Sequence, residues 1–365
     1  MRARRIGRAY RWASSRWVIR VAATVATGGA AGWACAWIGT PIPWMLGPLF
    51  AVAILRVAGV PLEAPQPLRY TGQWIIGTAL GLYFTPAVLR EVVGWWPLLV
   101  AGAVFAVFLG YLAGFALAPI ARIDRTTAIF ASVPGGAAEM SNLGERYGAR
   151  TDRVAAAQSL RILIVVAVVP AAFALLDMHG SDVYVAGVRT FDPRGFAELM
   201  GLALAGGFAA RAIGVPNAFI LGPLAVVIPL TASGVELSSV PTPVSNLGQW
   251  LLGCALGVRF QPDFLRDAHR FVAGVVASVF LSIGVAAAFG LALAFAAGVP
   301  GPTLVLGTAP GGLAEMCITA KVMQFGVPLV TALHVTRLVV LLLATAPLYR
   351  WLRERHPALV GAPPR

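Results

Sequence analysis

The chain has 365 residues, of which 58% are hydrophobic and only 12% charged, with a mean hydropathy of +0.80. Soluble domains carry about 25% charged residues, so a water-covered globular protein is excluded and a polytopic membrane protein is indicated. The formal net charge of +13 would suit nucleic acid, but seven arginines fall in the first twenty residues and four in the last sixteen, so no folded basic domain is left to dock on it.

In chain order, residues 1–17 form a basic tail, expected to be cytoplasmic. Val18–Ile38 is apolar and long enough to cross a bilayer core of about 30 Å. No small-residue cleavage site precedes a soluble mature domain, so this segment reads as an uncleaved first helix. Trp44–Gly59, Tyr70–Phe84, Leu98–Pro119, Thr126–Leu143 and Val154–Leu176 follow, giving a membrane repeat over 18–178. The most polar connection, "DMHGSDVYVAGVRTFDPRG" at Asp177–Gly195, is a hinge, with 179–194 an extracytoplasmic linker. The second membrane repeat, 195–350, contains Phe196–Ile213, Asn217–Gly234, Gly248–Phe260, Phe271–Gly298, Pro302–Val322 and Leu329–Leu348. Residues 351–365 form a second basic tail, also expected on the cytoplasmic side.

The two halves are copies. "PGGAAEM" (Pro134–Met140) returns as "PGGLAEM" (Pro310–Met316), 176 residues on, with six of seven positions identical. "GQWIIGTALGLYFTP" (Gly72–Pro86) matches "GQWLLGCALGVRFQP" (Gly248–Pro262) at nine of fifteen positions and the same offset. "PIPWMLGPL" (Pro41–Leu49) matches "PNAFILGPL" (Pro216–Leu224), and Arg161 pairs with Arg337. Self-similarity at a fixed period marks internal duplication.

Charge placement predicts the topology. If each heptad region enters and returns to its own side of the membrane, only Arg90, Arg189, Arg194 and Lys321 fall outside, with Arg161 and Arg337 counted as intramembrane. That leaves about five spans per half, an odd number, so the second half enters from the opposite face. The expected fold is all-α: two inverted repeats of about five transmembrane helices, each with one interrupted or re-entrant PGG element. An arrangement in which Tyr70–Phe84 returns instead also inverts the halves.

The heptad has its own chemistry. Pro134 removes a backbone donor and Gly135 and Gly136 loosen the chain, as do Pro310, Gly311 and Gly312 in the second copy. A helix broken in a bilayer leaves backbone groups that lipid cannot satisfy, so it must be buried in protein or line a watery cavity. Glu139 and Glu315 sit one turn into the helix that restarts, and a charge in the membrane is costly enough to imply use. Arg161 and Arg337 lie in apolar helices, each 22 residues beyond its heptad glutamate. Glu139–Arg161 and Glu315–Arg337 are the economical pairings, with cross-pairing between repeats and direct contact to an anionic solute as alternatives. His334, one turn before Arg337, can relay a proton or simply hydrogen-bond; its counterpart is Gln158, which makes any relay one-sided. Gln73 and Gln249 are repeated polar groups that can support unwound backbone or a ligand, and Gly110 with Gly114 forms a small-residue helix contact.

Enzyme signatures are absent: no phosphate loop, HExxH or GxSxG occurs, and four histidines and three scattered cysteines supply no metal cluster. The reading is therefore a non-enzyme with no cofactor and no metal. Its expected partners are a small-molecule solute, a coupling ion and the lipid bilayer, without direct contact to nucleic acid; a homodimer is compatible with such helices.

The doubled PGG-x-AEM heptad, the GQW-x-x-G-x-ALG segments and the LGPL motifs resemble the bacterial membrane AbrB family over nearly the whole chain. Members of that family have been labelled both transcriptional regulators and ammonia monooxygenases. The resemblance implies a multi-pass protein of the bacterial inner membrane, related to the cation–proton antiporter and anion symporter superfamily. The halves are not identical, since Ser141, Asn142 and Glu145 face Cys317, Ile318 and Lys321. The expected function is a secondary active transporter of a small anionic solute, coupled to protons or sodium. The alternative is a membrane-embedded ligand sensor that affects gene expression indirectly.

Overall fold

The computed structural model describes residues 15–180, 186, 190–260 and 269–360. The basic stretch 1–14, most of the linker with Arg189, the segment 261–268 with Arg266, and 361–365 lie outside the described residues. Among the described residues the regular structure is entirely helical.

The helices of the first half are α1 (Ser15–Ile38), α2 (Pro43–Val57), α3 (Gln66–Gly81), α4 (Pro86–Gly94), α5 (Trp96–Ala121), α6 (Arg125–Ser132), α7 (Ala137–Glu145) and α8 (Thr151–Leu175). Those of the second are α9 (Pro193–Ala212), α10 (Ala218–Ala232), α11 (Thr242–Gly257), α12 (His269–Ala297), α13 (Gly301–Thr308), α14 (Leu313–Met323), α15 (Val327–Arg355) and α16 (Pro357–Val360). Five of them, α1, α5, α8, α12 and α15, are long and apolar enough to cross a membrane. The protein is a multi-pass membrane protein.

Not every expected span is a straight one. α2 and α10 have 15 residues each, about 22 Å of helix against a core of about 30 Å. α3 and α4 meet at 93°, so the Tyr70–Phe84 segment belongs to a bent pair. α4 itself is absent from the sequence reading, because Arg90 and Glu91 make its stretch look like a connecting loop. Locally it is well encoded: Pro86 occupies the first turn and the Thr85 hydroxyl accepts from the Val88 amide.

The duplication is written into the backbone as well as the sequence. Left-handed residues recur in register: Ile42 with Asn217, Arg122 with Gly298, and Gly148 with Gln324. Ile42 and Asn217 each precede a short apolar helix, where an extended cap is normal. Helix crossings recur too. A β-carbon on Gly47 would meet the Ala31 carbonyl, and one on Gly222 the Gly206 carbonyl, so the LGPL glycines let α2 close on α1 and α10 on α9.

Contacts divide the chain into two compact units, each drawing on both halves. One comprises α1, α2, the first part of α3, and α11. There the GQW copies pack on each other, since a β-carbon at Gly72 would lie 2.7 Å from the Gly248 carbonyl oxygen. The other unit holds the remaining helices and both heptads. In it α5 packs on α6 through Gly110 and Gly114, where added β-carbons would sit 2.9 and 2.7 Å from the Cα atoms of Val133 and Ile129. α12 packs on α13 in the same way at Gly290. Phe130, Tyr147 and Tyr349 form a ring cluster at 4.7–5.8 Å that ties α6 to α15. α15 continues to Arg355, and Val360 is buried beside that cluster.

Candidate functional site

Each heptad interrupts a helix as its proline requires. α6 stops at Ser132 and α7 restarts at Ala137; α13 stops at Thr308 and α14 restarts at Leu313. At 8–11 residues apiece these pieces reach only about 12–17 Å. The spacing within the heptad follows from packing at the restart. Met140 folds against Gly135 and Met316 against Gly311, where any β-carbon would collide with the thioether chain. Glu139 and Glu315 turn back over Gly136 and Gly312, the residues that cap the new helices. A carboxylate at this third helical position lies beside free backbone amides and the positive end of the helix dipole.

A proline without an N–H orphans the carbonyl four residues earlier. For Pro134 that carbonyl is Phe130, and Gln158 Nε2 donates to it at 2.9 Å, with further contacts of 2.7 Å to Val133 O and 3.3 Å to Ala131 O. For Pro310 it is Leu306, and His334 Nε2 lies 3.2 Å from that oxygen. A carbonyl only accepts, so Nε2 carries the proton. Gln158 and His334 are therefore equivalent: each repairs the backbone its own proline broke. Of the two roles expected of His334, the hydrogen-bonding one is what this geometry shows.

One turn on from these residues stand the arginines. Arg337 Nη1 and Nη2 donate to Ala309 O and Gly311 O, both at 2.6 Å, while Arg161 Nη1 makes a single 3.3 Å contact to Ser132 O. Neither arginine is ion-paired with Glu139 or Glu315; ion pairs lie elsewhere, among them Arg20–Glu63 and Arg150–Asp152. The expected Glu–Arg pairings thus give way to guanidinium–carbonyl bonds. The reason is local: the glutamates are held at their helix N-termini, and the break itself offers the arginines unpaired carbonyls.

The two repeats converge at this point. Ser132, Pro134 and Arg161 from one, and Thr308, Pro310 and Arg337 from the other, line a single cleft of about 10 Å³ of water-accessible space. That is room for about one water. Arg161 and Arg337 are each 5% exposed and lie within electrostatic reach of one another. Arg161 Nε, Arg337 Nε and the Ser132 hydroxyl are buried and have no hydrogen-bond partner. Two like charges with unspent donors, desolvated together, favour an anion between them.

Of the other expected residues, Glu315 is buried and Glu139 half-buried beside its own glycine. Gln73 and Gln249 are buried in α3 and α11 and belong to the other unit. Ser132, Thr308 and Ser282 escaped the sequence reading. Ser132 and Thr308 had a usable signal: they are repeat counterparts, both hydroxylated, two residues before the proline.

Comparison with known proteins adds a family. A family model described as "Transition state regulatory protein AbrB" matches residues 44–353. "Uncharacterized protein YhjN" of Bacillus subtilis (strain 168) is 24% identical over 359 residues, spanning 91% of this chain and 93% of that protein. "Putative regulator AbrB" of Escherichia coli (strain K12) is 25% identical over 326 residues, spanning 87% of this chain and 92% of its own length.

Proposed function

We propose that this chain, which belongs to the AbrB family, is a secondary active transporter of a small anionic solute. The observation that carries this reading is the single cleft where two broken helices and two buried arginines, one set from each repeat, come together with donors unspent. Irregular backbone is stable in a bilayer only when buried in protein or lining a cavity, and broken helices at a repeat interface are a recurrent way to hold a solute midway through alternating access. In this account the halves are inverted repeats in a bacterial inner membrane, with both termini in the cytoplasm, as the arginine distribution favours. The chain is not an enzyme and takes no cofactor. Glu139 and Glu315, at the restarted helices, are the groups through which protons or sodium ions couple to movement.

A second reading, a membrane-embedded sensor that alters gene expression indirectly, is favoured by the name of the Escherichia coli relative. The two are separated in proteoliposomes by currents on a solid-supported membrane and by tracer uptake, using pools of small carboxylates at two pH values. Saturable uptake that disappears in Arg161→Met supports the transporter. Anion binding without flux in either assay would overturn it in favour of the sensor.

A further inference from the structure

We infer that an anionic phospholipid is held on the lipid-facing side of α5 and α15, an acyl chain in the apolar groove between them and its phosphate between Arg122 and Arg355. The inference needs only a membrane protein and stands apart from the transporter reading. Three observations carry it.

The first is the groove. Phe108, Leu112 and Phe115 of α5 line it with Ala344, Leu348 and Leu352 of α15, around about 460 Å³ of water-accessible space. The Tyr111 hydroxyl in its wall already donates to Thr345 O at 2.9 Å, so the groove offers no donor to a polar ligand. Phe108 and Leu112 are exposed, so the groove is open away from the protein, where a bilayer supplies hydrocarbon.

The second is depth. The two helices run side by side in the same direction: a β-carbon on Gly102 would lie 2.9 Å from Leu333 Cδ2, and Tyr111 reaches Thr345 further along. The groove extends from Val104 to Phe115 and from Val340 to Leu352, about 17–18 Å of helix. Half of a bilayer core of about 30 Å is about 15 Å, so the groove has the length of one leaflet's hydrocarbon. It lies towards the C-terminal ends of both helices and opens to the surface where they finish.

The third is charge at that surface. Arg122 stands two helical turns beyond Phe115, and Arg355 two turns beyond Leu348, so each groove stripe leads into an arginine. Measured from the Tyr111–Thr345 contact, both lie about 15–17 Å further on, at the same level. Both side chains are exposed, and neither has a partner among the described residues. Arg350 and Arg353 add to the positive field; Glu354 opposes it, while Asp124 is engaged by the Thr127 amide at 2.7 Å. Guanidiniums suit phosphate through paired hydrogen bonds, and basic clusters at the end of a span attract anionic headgroups. A second copy seated on this groove about a two-fold axis along the membrane normal would set these arginines against their own counterparts. The lipid is therefore the occupant that the charges favour.

The test uses the full-length protein in detergent, stripped of lipid and titrated with phosphatidylglycerol or phosphatidylcholine of the same acyl composition. Bound lipid is counted by native mass spectrometry, and the unfolding temperature is recorded alongside. Phosphatidylglycerol should bind saturably, about tenfold or more tighter than phosphatidylcholine, and raise the unfolding temperature. Arg122→Gln combined with Arg355→Gln should bring the two lipids level. Arg90→Gln combined with Arg194→Gln, which removes the same charge elsewhere, should leave the preference intact. Ala344→Leu, which narrows the groove, should weaken both lipids about fivefold, and inorganic phosphate alone should not stabilise. Equal binding of the two lipids by the wild type, or a preference that survives the paired change at Arg122 and Arg355, would overturn the inference. Wild-type binding by Ala344→Leu would overturn the placement of the chain. A dimer that Phe108→Ala dissociates would give the groove to a second copy and overturn it as well.

Discussion

The two arginines occupy equivalent positions but are bonded differently, and this yields a prediction about stability. Arg337 makes two 2.6 Å bonds to Ala309 O and Gly311 O. Bonds to a charged group contribute about 1.5–3 kcal/mol each, so Arg337→Met gives up about 3–6 kcal/mol of bonding and leaves two break carbonyls unpaired. Arg161 makes one 3.3 Å contact, past the usual range and worth about 1 kcal/mol or less. Both variants also shed the cost of a charge at membrane depth, about 2.5–3.5 kcal/mol on insertion scales, which outweighs the small loss at Arg161 but only reduces the larger one at Arg337. Arg161→Met should therefore unfold at the same temperature as the wild type or higher. Thermal unfolding in detergent, followed by the fluorescence of the ten tryptophans, measures both variants directly. Equal losses in the two variants, or a larger one in Arg161→Met, would refute the view that Arg337 braces the break while Arg161 is held ready for a ligand.

The remaining predictions concern the breaks themselves. His334→Gln should retain stability, because Gln158 already does the same work at the other break, whereas His334→Leu should lose about 1–3 kcal/mol by stranding the Leu306 carbonyl; unfolding midpoints of the pair decide this. Gly136→Ala should destabilise more than Gly312→Ala, since Gly136 has φ 91° and Gly312 φ −79°. In a combined variant with the neighbouring glutamate changed to alanine, stability should be restored for Gly312→Ala but only partly for Gly136→Ala, because trimming the carboxylate relieves the clash and leaves the backbone strain. Comparable recovery in both would contradict it.

Much of this architecture is legible in the sequence because duplication doubles each signal. One PGG could be a kink; two, each with a glutamate and an arginine at the same spacing, locate the breaks and the helices around them. What the arginines touch was not legible. Opposite charge pointed to Glu139 and Glu315, but those carboxylates serve the restarted helices, and a backbone carbonyl carries no letter in the sequence. The rule that proline frees the carbonyl four residues back does name Phe130 and Leu306 as needing donors. Gln158 and His334, chemically unlike but in register, are where that rule leads. α4 was missed for the opposite reason: Arg90 and Glu91 hide a helix whose cap and proline start are otherwise ordinary.

The central claim is that Arg161 serves the solute rather than the fold. The most direct measurement is uptake of radiolabelled small carboxylates, applied as pools, into proteoliposomes by the wild type and by Arg161→Met, with the unfolding temperature of each preparation recorded alongside. The account predicts saturable uptake by the wild type, and none by a variant that is at least as stable. Undiminished uptake by Arg161→Met would contradict it.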